Sequence, residues 1–217
     1  MPLWTDPVVG QWFVSADGVR WWFDSGDIAL DFAYAGSMGG RPEWERWHTP
    51  EDMERWMAER FGVRVIATAA DLRRAKRLRD AIAGLVTDVS RGQPQRLEQQ
   101  AIVNQYAAQP DLAPQLGWDR PRPKVGQLLA TLARAAVHLL SEHVDRIREC
   151  GAADCAVVYV DTSRSGNRRW CSMSRCGNRH KVREHRARHA SSRTDTRSNK
   201  RPDTRSDPRS PTTGEPE

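Results

Sequence analysis

The sequence has no long apolar run. No stretch of the 217 residues approaches the roughly 18 apolar residues that a membrane-spanning helix needs. The first residues also differ from a secretory signal, because Met1 is followed by Pro, Trp and Asp instead of a basic and then an apolar segment. We therefore expect a cytoplasmic protein that neither enters a membrane nor is secreted.

Cysteine is absent from residues 1–149, and all four cysteines fall between Cys150 and Cys176. A disulfide framework is typical of short, secreted chains in which cysteine is dense. The clustering of cysteine in an otherwise cysteine-free chain instead favours a metal site in a reducing compartment.

Residues 1–149 also have few of the side chains and motifs on which catalysis depends. They contain no cysteine, only three histidines, and neither a nucleophile elbow nor a phosphate-binding loop. His138 and His143 are five residues apart, a spacing that does not place them well on one helical face. We therefore expect that the protein is not an enzyme.

The net charge of +6 is spread unevenly along the chain. Residues 1–163 carry a small excess of acidic side chains, whereas residues 164–189 hold nine basic side chains against Glu184 alone. This density exceeds what solubility requires and indicates a nucleic-acid-binding surface. The nine basic residues are Arg164, Arg168, Arg169, Arg175, Arg179, Lys181, Arg183, Arg186 and Arg188.

Helical signals dominate the middle of the chain. Thr49 is placed as an N-cap, Gly62 is placed to end the helix that follows, and Thr68 with Asp71 forms a capping-box pattern for the next helix. The four predicted helices cover residues 50–61, 69–91, 95–109 and 125–147. Such a set can close a core of about 140 residues.

The segment before the helices predicts a small β element. Residues 11–14 and 19–23 alternate apolar and polar side chains around Asp17 and Gly18, a pattern typical of a β-hairpin. The apolar stretch of residues 28–34 fits either a strand or a helix, because periodicity cannot decide so short a run.

The four cysteines form two pairs of equal spacing. Cys150 and Cys155 are separated from Cys171 and Cys176 by fifteen residues, which is the usual sequence form of a structural zinc site. Two local disulfides or four unconnected thiols are the alternatives. Four thiolates leave no open coordination position, so we expect one structural Zn²⁺.

The residues around the cysteines predict a treble-clef-like finger. Residues 156–160 and 168–170 are expected to form a hairpin around a turn at 165–167, with a helix from about 176 to 189. His185 and His189 could replace two cysteines as ligands, but the complete cysteine set favours thiolates.

The predicted fold class combines a mainly α N-terminal domain bearing a small β element with a small α+β Cys₄ zinc finger. Residues beyond 190 contain no large apolar side chain and are expected to form a disordered tail. The expected organisation is an extension or hairpin over 1–21, an α-rich domain over 22–145, the finger over 146–190 and the tail over 191–217.

Several motifs resemble a known family. The tetrapeptide Cys176-Gly177-Asn178-Arg179, preceded by Asp161-Thr162-Ser163-Arg164 and Arg168-Arg169-Trp170-Cys171, is similar to the bacterial CGNR zinc-finger domain. In that family the finger commonly follows a domain called ABATE, described as a stress-induced transcription regulator. Leu30-Asp31-Phe32 resembles the start of ABATE, although Tyr34-Ala35 stands where the family usually has Asn-Thr.

The resemblance implies a DNA-binding transcriptional regulator associated with the nucleoid, whose N-terminal domain senses a signal or forms a homodimer. If that domain binds a small-molecule effector, Asp31, Arg79 and Asn104 are the polar candidates; structural hydrogen bonding is the alternative role for all three. Two other functions stay open, an RNA-associated zinc module and a zinc finger that docks to a protein.

Overall fold

The computed structural model describes residues 7–14, 18–38, 42–112 and 122–198, with side chains to residue 189. The described part is mostly helical, with two small two-stranded sheets. Its elements are β1 (Gln11–Val14), β2 (Arg20–Phe23), α1 (Ile28–Ala33), α2 (Pro50–Phe61), α3 (Ala69–Ser90), α4 (Leu97–Ala107), α5 (Val125–Glu142), β3 (Ile147–Glu149), β4 (Val158–Val160) and α6 (Asn178–Ser198).

The N-terminal hairpin forms as predicted. β1 and β2 pair antiparallel with Trp12 opposite Trp22 and Val14 opposite Arg20. Gly18 has a φ of 79°, which suits glycine, and Asp17 of the predicted turn lies outside the described residues. Phe13, on the inner face, stacks 5.5 Å from the ring of Trp21. The hairpin thus extends the aromatic core.

The caps read from the sequence begin the helices where expected. Thr49 and Thr68 each form a capping box, in which the threonine side chain accepts from the N3 backbone and the N3 aspartate accepts from the cap backbone. Gly62 ends α2 in the left-handed conformation, with a φ of 65°. The sequence of residues 28–34 fitted either a strand or a helix. The structure shows a helix, α1, whose N-cap is Asp27.

α3 is the central helix and contacts α1, α2, α4 and α5. The core between these helices is apolar apart from a few buried polar groups. Arg79, on α3, is one of these, and its guanidinium donates two hydrogen bonds to the Glu45 carboxylate at 2.9 and 2.8 Å. Because a buried charge is costly unless paired, this ion pair is part of the architecture.

Three features in the second half of the chain differ from the prediction. α5 ends at Glu142 instead of 147, because Ile147 begins strand β3. β4 pairs with β3, upstream of the first cysteine, and not with residues 168–170. The last helix also continues to Ser198, so residues 191–198 of the expected tail are helical; residues 199–217 lie outside the described part.

The finger shares a core with the helices. Cys150, Cys171 and Cys176 belong to the same buried cluster as the helical apolar residues. The Tyr34 hydroxyl donates to the Val158 carbonyl at 2.9 Å and accepts the Val158 N–H at 2.7 Å. The finger and the helices therefore share one buried cluster, and the domain boundary between residues 145 and 146 stays a prediction.

The chain divides into two compact units after Asn178. The first unit holds the hairpin, α1–α5 and the four cysteines, and the second holds the remainder of α6. Among the described residues, no helix combines the length and the apolar character needed to cross a membrane.

Candidate metal centre and nucleic-acid interface

The four cysteines lie in the loops and turns that connect β3, β4 and α6. Cys150 directly follows β3, and Cys155 lies in the loop that leads to β4. Cys176 lies in a π-helical turn, Met173–Gly177, that precedes α6. One pair in a loop between paired strands and one pair before a helix is the arrangement of a treble-clef-like finger.

Gly177 packs closely against two side chains of the finger. A Cβ at this position would lie 2.8 Å from the Met173 Sδ and 3.3 Å from the Trp170 Cδ1. A larger residue would therefore require the Met173 side chain to move and the Trp170 ring to shift slightly.

The cysteine sulfur atoms are arranged as ligands of one ion. All four lie within 4.8 Å of one another, and none is in a disulfide. The Sγ of Cys171 is 3.8 Å from that of Cys155 and 3.5 Å from that of Cys176. A tetrahedron with Zn–S bonds of about 2.3 Å has edges of about 3.8 Å, so the sulfur positions fit zinc.

The electrostatics of the cluster also favour a cation once the thiols are ionised. Hydrogen bonds from Cys155 and Cys171 lower the pKa of the Cys150 thiol to about 2. The interaction with Cys150 raises the pKa of Cys155 to about 12 and raises that of Cys171 as well. Four thiolates at these distances repel one another, and a divalent cation removes that penalty. Zn²⁺ would supply charge neutralisation and a structural cross-link.

Arg168 holds the cluster in shape through its Nε and Nη2. Its Nη2 donates to the carbonyls of Asp24 at 2.8 Å and Cys171 at 2.5 Å, and its Nε donates to Trp170 at 3.0 Å. The guanidinium also lies 4.3 Å from the centre of the Tyr159 ring. Two of the guanidinium nitrogens are thus used inside the protein, and the contact of Arg168 with nucleic acid stays a prediction.

The other basic residues before α6 differ in their exposure. Arg164 and Arg169 are exposed, and the Arg169 guanidinium lies 5.3 Å from the Trp170 ring centre. Arg175 is half-buried over the Trp21 ring at 4.8 Å. A role of these three in nucleic-acid binding stays a prediction.

α6 displays the largest group of exposed cations. Arg179 is half-buried, and the four residues that follow it in the predicted set are exposed. These four are Lys181, Arg183, Arg186 and Arg188. Glu184, which accepts from His180 at 3.1 Å one turn away, is the only acidic residue among residues 164–189 of the sequence. We call the four exposed cations the basic helix surface.

The three predicted effector residues have different surroundings. Asp31 is fully buried and accepts the Gly10 N–H at 2.6 Å, while Arg79 pairs with Glu45 and Asn104 is exposed on α4. None of them lines three cavities of about 310, 550 and 650 Å³ in the described part. The hydrogen bonds of Asp31 and Arg79 agree with the structural alternative, and ligand binding by the three residues stays a prediction.

Burial changes the acidity of Asp31. Loss of water raises the pKa of this carboxyl to about 6, and the Ser25 side chain, Arg60 and the Gly10 N–H oppose the change only in part. The group therefore titrates close to neutral pH.

Two residues with important roles were not singled out from the sequence. Asp161 is buried and accepts from the Ser163 N–H at 2.9 Å and the Arg168 N–H at 2.8 Å, so that it fixes the loop before the second cysteine pair. Tyr34 joins α1 to β4, as described above. The sequence features that could have identified these residues are the family motif that contains Asp161 and the presence of Tyr34 where the family usually has Asn.

Comparisons with protein families agree with this architecture. A model described as "CGNR zinc finger" matches residues 146–189. The ABATE model, described as "Putative stress-induced transcription regulator", matches residues 26–143, more than half of the chain. No curated protein shows a significant match. The chain therefore belongs to the ABATE family, and its ABATE domain is followed by a CGNR zinc finger that holds a single Cys₄ zinc site.

Proposed function

We propose that the protein is a DNA-binding transcriptional regulator whose basic helix surface contacts the phosphate backbone. The observation that supports this most directly is the exposure of Lys181, Arg183, Arg186 and Arg188 on one helix that begins two residues after the last zinc ligand. The zinc site has no catalytic position, because all four ligands are thiols, and its role is to fix the start of this helix.

The charge of α6 suits a nucleic acid better than a protein surface. Arginine donates to phosphate in a bidentate manner and can also pair with guanine edges in a major groove. A helix that is basic around most of its circumference repels itself and gains most from a polyanion. Binding should therefore depend strongly on salt.

The test is a fluorescence-anisotropy titration of the full chain against duplex DNA at several salt concentrations. The variant Arg183→Ala/Arg186→Ala should weaken binding and reduce the slope of log K against log [salt] by about 2. Zinc content should not change. Arg73→Ala/Arg77→Ala is the matched control, since it removes two exposed arginines from α3.

Equal weakening in both variants would mean that only the net charge matters, and undiminished binding in the α6 variant would place the contact elsewhere. Stronger competition by tRNA than by duplex DNA would favour the RNA-associated alternative. Zinc binding without any nucleic-acid binding would favour the protein-docking alternative.

We also propose that the protein acts without catalysing a reaction and that it resides with the chromosome in the cytoplasm. The all-thiol zinc site and the absence of enzyme motifs from residues 1–149 support the first point. Homodimerisation and control by a small-molecule effector stay predictions from the sequence.

A further inference from the structure

A second group of metal-ligating side chains lies at the end of α5, away from the cysteines. The ligand atoms of His138, Glu142 and His143 all lie within 4.8 Å of one another, and the three residues are exposed. The His138 Nδ1 is 3.2 Å from the Glu142 Oε2. The His138 and His143 rings are 4.9 Å apart and nearly perpendicular.

The backbone explains how a spacing of five residues brings the two imidazoles together. His138 and Glu142 are one turn apart on α5 and share a face. His143 is the C-cap, with φ −128° and ψ 24°, and has already left the helix. The departure from helical geometry returns its side chain to the neighbourhood of His138, contrary to what the spacing predicts for a continuous helix.

The distances fit a transition-metal ion. Metal–nitrogen and metal–oxygen bonds of about 2.0 to 2.1 Å give a tetrahedral edge of about 3.3 Å, close to the separation of His138 Nδ1 and Glu142 Oε2. Two imidazoles with one carboxylate suit Zn²⁺ and its neighbours among the divalent transition metals, whereas Mg²⁺ and Ca²⁺ prefer oxygen ligands.

A further carboxylate lies beside the cluster. Asp27, the N-cap of α1, accepts the Ala29 N–H at 2.7 Å. Burial raises the pKa of Asp27, while that hydrogen bond and the charges of His138 and His143 oppose the increase. When ionised, this carboxylate adds negative potential near His138 and His143, and it belongs to a different helix from the three ligands.

We propose that His138, Glu142 and His143 form a second metal site, which binds an exchangeable divalent transition-metal ion. The site is independent of the proposed nucleic-acid binding. Three protein ligands leave a coordination position for water, and exposure lets the ion enter and leave, in contrast to the buried thiol site.

The position of the site suggests what the ion stabilises. The chain passes from His143 through the turn Val144–Arg146 into β3, and Cys150 follows directly. An ion held at the end of α5 fixes this connection between the helices and the finger. Because a ligand that binds only the folded state stabilises it, the ion should also raise Tm.

The experiment uses the full chain with one equivalent of zinc in the thiol site, titrated with Co²⁺. We expect one further ion whose d–d absorption appears without the thiolate-to-cobalt charge transfer of a cysteine site. His138→Ala, His143→Ala and Glu142→Gln should each weaken Co²⁺ binding on the order of tenfold or more. The increase in Tm that Co²⁺ causes should also be lost in these three variants.

The pair His185 and His189 on α6 provides the control. Their Nε2 atoms are 3.1 Å apart at i, i+4, so they are a competing chelate. His185→Ala/His189→Ala should leave the affinity for Co²⁺ and the Tm increase unchanged. The proposal is overturned if this variant loses the ion, if the α5 variants retain it, or if no second ion binds.

Discussion

Tyr34 shows how one side chain can connect two segments that are distant in sequence. It is 1 % exposed, and its hydroxyl satisfies both the N–H and the carbonyl of Val158, 124 residues away. The family that the chain resembles usually has Asn at this position. The tyrosine side chain is longer than asparagine, and its hydroxyl reaches the backbone of β4.

Tyr34→Phe should lower the free energy of unfolding by about 2 kcal/mol, because two buried backbone groups lose their partner while the ring still packs. Urea denaturation of the full chain measures the loss. Tyr106→Phe is the control: its hydroxyl donates to the Arg74 carbonyl at an exposed site, so its removal should cost less. Equal costs in the two variants would contradict the role assigned to Tyr34.

Asp31 should make stability depend on pH. Its pKa is about 6 in the folded protein, against an ordinary value of 3.8. The stability that this group contributes is complete below pH 3.8 and is lost as the pH rises through 6, by about 3 kcal/mol at most. The difference in free energy of unfolding between Asp31→Asn and the unaltered protein should therefore increase from pH 4 to pH 7. A constant difference would show that Asp31 ionises normally.

Elements with local signals were predicted well from the sequence. The capping boxes at Thr49 and Thr68 need only residues three positions apart, and both are confirmed. The partner of β4 was not predicted, because pairing across the cysteine loop depends on contacts that no local pattern encodes. The end of α5 was placed too late for the same reason, since Ile147 has a partner in Val160.

The cap of α3 should contribute measurably, because this central helix contacts four others. Thr68→Ala removes the acceptor for the Asp71 N–H, which is 3.2 Å away, and should destabilise the protein by about 1 kcal/mol. Thr68→Ser keeps the hydroxyl and should restore most of the loss. Thermal unfolding of the two variants measures the difference. Similar Tm values for Thr68→Ala and Thr68→Ser would show that the Thr68 hydroxyl does not stabilise α3.

At the scale of the whole molecule, the zinc site was predictable and its integration with the helices was not. Two equally spaced cysteine pairs indicate the ligands directly, whereas the role of Arg168 depends on the carbonyl of Asp24, which is 144 residues away in the sequence. The sequence also indicated a separate finger, but the cysteines lie in the core that the helices share.

Removal of zinc should therefore destabilise more than the finger. Cys176→Ser, or chelation of the metal, should lower the temperature of a single unfolding transition and increase hydrogen exchange in α3, which contacts β3 and β4. Mass spectrometry of exchanged peptides makes the comparison. If the α3 peptides keep their protection while the finger loses its own, the two parts unfold separately.

The backbone of β4 also limits how this finger can be recombined. The Val158 N–H and carbonyl bind the Tyr34 hydroxyl, and the Val160 N–H donates to the Ser25 carbonyl at 2.7 Å. A finger transplanted without residues 25–34 would carry these polar groups unpaired on an apolar strand. The finger and its ABATE domain should therefore be inherited and exchanged together, and a chimera should be cut after Gly177 instead of before Cys150.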